Sequence, residues 1–346
     1  MARAPGKAGL PLGLGAAGGT GVGGGTGVGG GSGANGSSGS GGPAGVALPP
    51  LPPLHAPPSL RRRVSNATAW ALALLALGLV IAPAVWVLGG VLARAIPHWH
   101  WAVLTKTGVQ TTKALPAGGL EGAILGTLLI MGGVALLAGT VGILSGIHLA
   151  EHRASNRGAL VRGASEVLAG IPSIVLGYVG YLALVVGLHW GYSLAAALIV
   201  LSVLVIPYMA KSTESALRQV PTSYREGAEA LGMPPTYALR RIVLRTALPG
   251  ITTGLLVSLA IAVGETAPLL YTANYNDGLP GLALTHQGVP YLTYAVWTFF
   301  NLPSSASVDL SYDAALLLIV LVLILIVVAR LIVALTQRNA EASGGR

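Results

Sequence analysis

Long apolar stretches alternate along this chain with short connections rich in arginine. A helix that crosses a bilayer needs about 20 mostly apolar residues. Six stretches qualify, near 67–92, 121–149, 165–188, 192–211, 248–272 and 314–336. The first and fifth contain Pro83 and Pro268, where a kink or break is tolerated if neighbours satisfy the freed backbone groups. The second is dense in small residues, Gly126, Gly132, Gly133, Gly139 and Gly142, which let helices approach closely. The pattern predicts an all-α polytopic membrane protein with six transmembrane helices over 61–340. Residues 1–60 differ: a Gly/Pro/Ala tract with too little apolar surface to offset its ordering entropy reads as a disordered tail. It has no strand before its glycines and no helix directly after them, so it is not a phosphate-binding loop.

Composition supports this picture. Of 346 residues, 53% are hydrophobic and only 9% charged, and the mean hydropathy is +0.72. Soluble domains carry about 25% charge, so a soluble enzyme is excluded. The absence of cysteine rules out disulfides, zinc ribbons, iron–sulfur clusters and thiol catalysis. The net charge of +9 is a topology signal and not a nucleic-acid footprint, because the cations sit almost entirely on one side. That side receives Arg61, Arg62, Arg63, Arg153, Arg157, Arg162, Lys211, Arg218, Arg225, Arg240, Arg241, Arg245 and Arg338; the other receives Arg94, Lys106 and Lys113. By the positive-inside rule, both termini, the 150–164 loop and the 212–247 loop face the cytoplasm of a prokaryotic (inner) membrane. Residues 273–313, with no Lys or Arg but with Asp277 and Asp309, form an external segment of re-entrant or short helical pieces, placed to meet an external protein.

The 212–247 loop has the densest local signals. Ser223 and Glu226 fit a capping box, Tyr224, Ala228 and Leu231 lie at helical spacing on one face, Gly232 suits a helix C-terminus, and Pro234-Pro235 opens a second helix. A short helix, a sharp turn and a helix leading into the fifth span are expected. Such an element either docks in a groove of a partner protein or lies in the lipid interface.

Glu226-Gly227-Ala228, then Gly232 three residues on, then Ile242 and Leu244 after nine more, resembles the EAA loop of ABC importer permeases, whose pattern is Glu-Ala-Ala, three residues, Gly, nine residues, Ile-x-Leu-Pro. Gly227 and Arg245 depart from it. Residues Gly118–Thr127, Gly170–Gly177 and Lys211–Pro221 resemble segments of phosphate importer permeases. Leu248–Gly254 followed by Gly264–Leu270 resembles the PstA-type subunit. The resemblance covers roughly 65–336. It implies a MetI-like fold and a permease subunit of an importer of inorganic phosphate. A homologous PstC-type permease, two PstB-type ATPases and an external PstS-type phosphate-binding protein are its implied partners. A permease for another oxyanion, molybdate or sulfate, is the alternative. The ATPase-coupling residues it implies are Arg225, Glu226, Gly227, Ala228, Leu231 and Gly232. The chain has no Gly-x4-Gly-Lys-Ser/Thr motif, so no ATP hydrolysis is expected on it; no cofactor is expected in this chain, and the resemblance implies ATP and magnesium on the partner ATPase.

An ionisable residue at membrane depth is a functional candidate by default, since its burial costs about 2.5–3.5 kcal/mol. Glu265 is the clearest, with Thr266 beside it; a carboxylate repels an oxyanion, so gating or pairing with an arginine suits it better than direct binding. Glu166 and Ser173 in the third span are weaker candidates. Arg218 is a candidate for steering an anion at the inner mouth, or an ordinary topogenic cation. His98 and His100 flank Trp99 with no carboxylate near them, and His148 and His152 stand at i, i+4 around Glu151 but not in a His-Glu-x-x-His arrangement; neither pair is read as a metal site, and no catalytic set assembles.

Overall fold

The computed structural model describes residues 59–107, 118–152 and 155–344, with side chains up to 336. Residues 1–58 of the Gly/Pro tract, Lys113, Arg153 and the side chain of Arg338 lie outside the described residues. The described part consists of helices and irregular connections, with no strand among the described residues. In order the helices are α1 (Leu60–His98), α2 (Ala102–Thr105), α3 (Glu121–Glu151), α4 (Asn156–Gly170), α5 (Ser173–Gly180, extended by π-helical turns over Tyr181–Gly187), α6 (Leu194–Arg218), α7 (Ser223–Ala230), α8 (Pro235–Ala238), then π-helical turns over Leu239–Val243 leading into α9 (Leu244–Gly264), α10 (Ala267–Thr272), α11 (Leu292–Phe300) and α12 (Ser305–Gly344).

Five helical stretches are long and apolar enough to cross a membrane: α1, α3, α6, the run Pro235–Gly264 and α12 up to Thr336. The third stretch, expected as one span over 165–188, is instead two pieces, α4 and α5, bent by 98° at Ile171-Pro172. A residue before proline avoids the α region, and Ile171 is extended, at ψ 128°. Pro83 leaves α1 unbroken. The fifth stretch breaks before Pro268: Glu265 is extended (φ −75°, ψ 123°), and Pro268 sits in the first turn of α10, where its missing N–H costs nothing.

α3 and α6 pack along their length because glycines on α3 face α6. A Cβ on Gly133, Gly142 or Gly146 would run into Leu198, Met209 or Thr213 respectively. Gly139 faces Leu255 of α9, whereas Gly132 points into open space and serves no packing face. A central apolar cluster (Val134, Leu201, Val205, Leu269, Tyr291) joins α3, α6, α10 and the segment before α11. A second (Met209, Leu217, Val243, Ile251) lies at the arginine-rich end. By contrast α1 leaves Leu72, Leu79, Val80 and Val87 exposed, a surface suited to hydrocarbon.

At the opposite end α3 holds the connection before α11. The Leu292 N–H donates to Thr127 Oγ1 at 2.9 Å, and the Thr127 hydroxyl donates to the Ala123 carbonyl at 2.7 Å. One residue earlier on α3, a Cβ on Gly126 would collide with the Pro290 carbonyl, a backbone atom that cannot swing aside. Gly126→Leu is therefore expected to destabilise the protein by about 3 kcal/mol, read as a lower midpoint in detergent thermal unfolding, while Gly132→Leu leaves the midpoint unchanged. Equal midpoints for the two variants would contradict the packing argument.

Candidate functional site

The loop after α6 builds a helix–turn–helix. Pro221 accepts from the Tyr224 N–H at 3.2 Å, and the Thr222 carbonyl accepts from the N–H groups of Arg225 (2.8 Å) and Glu226 (3.0 Å). The expected capping box does not form. Thr222 is already helical (φ −61°, ψ −30°) and no side chain caps the end. A proline at the entry presets a helix-compatible φ, so helical geometry is reached before Ser223, which lies inside the first turn. The other end matches expectation. Gly232 takes φ +70°, its N–H donates to Glu229 O at 2.9 Å, and Met233 N–H donates to Ala228 O at 3.0 Å. That pair of bonds is a Schellman motif, which needs a left-handed residue in the position Gly232 fills. Pro234 and Pro235 then open α8.

Four contacts seat this element on the bundle. Ala228 (2% exposed) and Ala238 are buried, and Val243 is fully enclosed among Met209, Leu217 and Ile251. Arg225 reaches back to the end of α3 and holds both carboxylate oxygens of Glu151, at 2.7 and 3.0 Å. That hydrogen-bonded carboxylate raises the Arg225 pKa above its ordinary value. The tip stays open: Tyr224, Leu231 (75% exposed) and Tyr237 project outward, with Glu226 and Gly227 beside them. Tyr224, Ala228 and Leu231 thus do not share one face. Ala228 points inward, and Leu231 already belongs to the turn.

A second charged cluster lies at the same end. Glu214 of α6 is buried and accepts from Arg162 of α4 at 2.9 Å and from Arg218 one turn along α6. Arg218, considered for anion steering, is thereby paired, and Arg162 ties α4 to α6. Arg218, Arg225, Glu151 and Thr222 line one open cleft.

The remaining candidates gather at the two helix breaks, except Glu166, which is exposed on α4. Ser173 is half-buried at the first position of α5, and Glu265 and Thr266 are half-buried in the break between α9 and α10. The breaks are neighbours, because Gly177 of α5 packs directly on Pro268 of α10. The Glu265 carboxylate has no ion-pair partner among the described residues; its backbone carbonyl accepts from the Thr293 hydroxyl at 3.3 Å. Thr266 also opens into a cleft of about 470 Å³ lined by Thr293, Trp297, Asn301, Ser311 and Tyr312. At the rim of that region Arg94 pairs with Asp309 at 3.3 Å and lies over the Tyr312 ring. The His98 Nδ1 lies 3.0 Å from the Arg94 carbonyl oxygen, while His148 and His152 stack on each other at 4.6 Å.

Residues 138–341 match the family model described as "Binding-protein-dependent transport system inner membrane component". The chain belongs to this family. The permease is 55% identical over 291 residues to phosphate transport system permease protein PstA 2 of Mycobacterium tuberculosis (strain CDC 1551 / Oshkosh), covering 84% of this chain and 95% of that one. To PstA 1 of the same organism it is 32% identical over 290 residues, covering 82% and 93%. Within the family it is a PstA-type permease. Its fold is similar to that of the inward-facing MetNI methionine ABC transporter (TM-score 0.53, 22% identity, 62% of this chain and 95% of that one). It is a multi-pass inner-membrane protein.

Three permease residues emerged only from the fold. Glu151, Arg162 and Glu214 make its long-range ion pairs at the arginine-rich end, at separations of 74 residues for Glu151–Arg225 and 52 for Arg162–Glu214. Two carried a readable signal: Glu151 and Glu214 are acids at the membrane edge of a strongly basic end, where a cation is close by to pair with each.

Proposed function

We propose that this permease forms half of the translocation pathway of an ATP-driven importer of inorganic phosphate and receives its work through the α7–α8 element. The observation that carries the reading is the shape of that element: a helix–turn–helix clamped to the bundle by Ala228, Val243 and the Arg225–Glu151 pair, with Tyr224, Leu231 and Tyr237 left projecting. A clamped base with an exposed apolar tip suits insertion into a groove of a partner. An interfacial helix would need no tie of that kind. Phosphate as cargo is supported by the kinship with the PstA proteins.

In this reading both termini and the α7–α8 element are cytoplasmic, as the arginine distribution favours. Two PstB-type ATPases carry ATP and magnesium and hydrolyse the nucleotide. A PstC-type permease completes the pathway, and a PstS-type protein delivers phosphate externally. Closure of the ATPases moves α7, and the broken helices α4–α5 and α9–α10 switch access to the site between them. Glu265, Thr266 and Ser173 at the breaks serve as gate or path residues, and Glu166 and Arg218 flank the inner approach. In cells carrying the complete transporter, ATP-dependent uptake of labelled phosphate is expected to persist under a large excess of sulfate or molybdate. Suppression by either anion would reassign the cargo.

A further inference from the structure

Between Arg162 and Lys211, and again between Arg245 and Arg330, the chain has no Lys or Arg. The elements α5, α6, α9, α10 and α11 therefore offer an anion no Lys or Arg at membrane depth, and what they do offer it are neutral donors. Most membrane-depth threonine hydroxyls are already committed. Those of Thr127, Thr140, Thr252, Thr253 and Thr272 each donate to the carbonyl four residues back.

Four tyrosines are different. Tyr178 and Tyr181 on α5 and its π-helical extension, Tyr271 on α10, and Tyr192 just before α6 form one ring cluster. Tyr178 meets Tyr271 edge-on at 5.9 Å, and Tyr181 lies 6.4 Å from Tyr178, 6.5 Å from Tyr271 and 6.1 Å from Tyr192. Tyr178 is 50% exposed and Tyr192 39%, while Tyr181 and Tyr271 are half-buried. None of the four hydroxyls has a hydrogen-bond partner among the described residues. α1, α3 and α9 carry no tyrosine at all. A phenol in hydrocarbon with no partner is costly, so a face that gathers four of them is not a lipid face. The cluster begins one residue beyond the Gly177–Pro268 contact and continues toward Tyr192, and Tyr178 and Tyr271 each follow by five residues the residues Ser173 and Thr266 at the two breaks.

We propose that Tyr178, Tyr181 and Tyr271, with Tyr192 at the entrance, are a relay of neutral hydroxyl donors that binds the tetrahedral oxyanion on its way to the break. This deepens the permease reading above and rests on it. A phenol O–H donates to a phosphate oxygen without supplying a counter-charge. A string of such donors is attractive enough to admit an anion and weak enough to release it, which conduction through a path requires.

The test is the triple variant Tyr178→Phe, Tyr181→Phe, Tyr271→Phe in the complete transporter, with Tyr178→Phe and Tyr271→Phe alone as the variants to read should the triple be poorly inserted. Phenylalanine keeps the rings and removes only the donors. Phosphate uptake is expected to fall roughly tenfold or more, as the loss of hydrogen bonds to a charged group implies, at unchanged membrane abundance, partner association and basal ATP hydrolysis. Unchanged uptake overturns the proposal. So does loss of association with the second permease, which would make the tyrosines an interface. A wild-type transporter that imports another oxyanion in place of phosphate sinks the cargo assignment alone. Repeating the comparison with that oxyanion then tests the relay separately.

Discussion

Gly227→Trp is expected to abolish ATP-driven uptake while the protein stays folded and inserted. The expectation comes from the geometry of α7. A Cβ at Gly227 would meet nothing within 4 Å, so the isolated permease has room for a large side chain there. The same position lies on the exposed tip beside Tyr224 and Glu226, where an indole would occupy the space a partner groove needs. Gly232 is the less useful target, although it is the more obvious one in the sequence. Its φ of +70° means any other residue strains the turn, and a loss of uptake would then report folding. Gly227→Ala supplies the control: it relieves the helix of a glycine, a gain of up to about 1 kcal/mol, and adds one methyl group to the tip. Uptake and co-purification of the ATPase are the measurements. The alanine variant should retain both and the tryptophan variant neither, at equal membrane abundance. Full uptake in the tryptophan variant would mean that α7 is not inserted in a groove, and the coupling role would have to move elsewhere on the cytoplasmic face.

Much of this architecture is legible in the sequence because it is local. Gly232 predicts a helix end, and Pro234-Pro235 predicts a new start, since each acts on its own backbone. Span positions follow from apolar length alone. What fails is whatever depends on direction or on distant partners. Apolar content over 165–188 says nothing about orientation, so the 98° bend at Ile171-Pro172 was hidden, although Pro172 marked the place. The capping box failed on a neighbour, Pro221, which brings helical geometry in one residue early. Gly132 and Gly133 look equivalent in sequence, yet only Gly133 faces α6; the rotation of α3 decides, and a helix apolar all round gives no periodic cue to it. For the candidate site, Glu265 is singled out in the sequence by its cost at membrane depth, and Thr266 by standing beside it. The tyrosine cluster is not, because its members are brought together only when α5 packs on α10.

A charge swap across the Arg225–Glu151 pair should fail singly and recover when combined. Arg225 is the only side-chain tie from α7 to α3 among the described ion pairs, and α3 is fastened to α6 along its length by the contacts at Gly133, Gly142 and Gly146. If α7 moves as proposed, this pair is a direct route by which its movement would pass into the core of the bundle. Its stability contribution is modest, about 1 kcal/mol, because both side chains are partly exposed and screened. The expected effect is on coupling. Arg225→Glu sets two carboxylates together at the C-terminal end of α3, where the helix dipole also disfavours negative charge. Glu151→Arg sets two cations together, but the dipole partly compensates them. Uptake should thus fall in both single variants and further in Arg225→Glu. The double swap re-forms the pair in reverse and should recover most of the uptake, a coupling that a double-mutant cycle reads directly. Additive losses in the double variant would show that the two residues act independently and that α7 is steered by its apolar seat at Ala228 and Val243 alone.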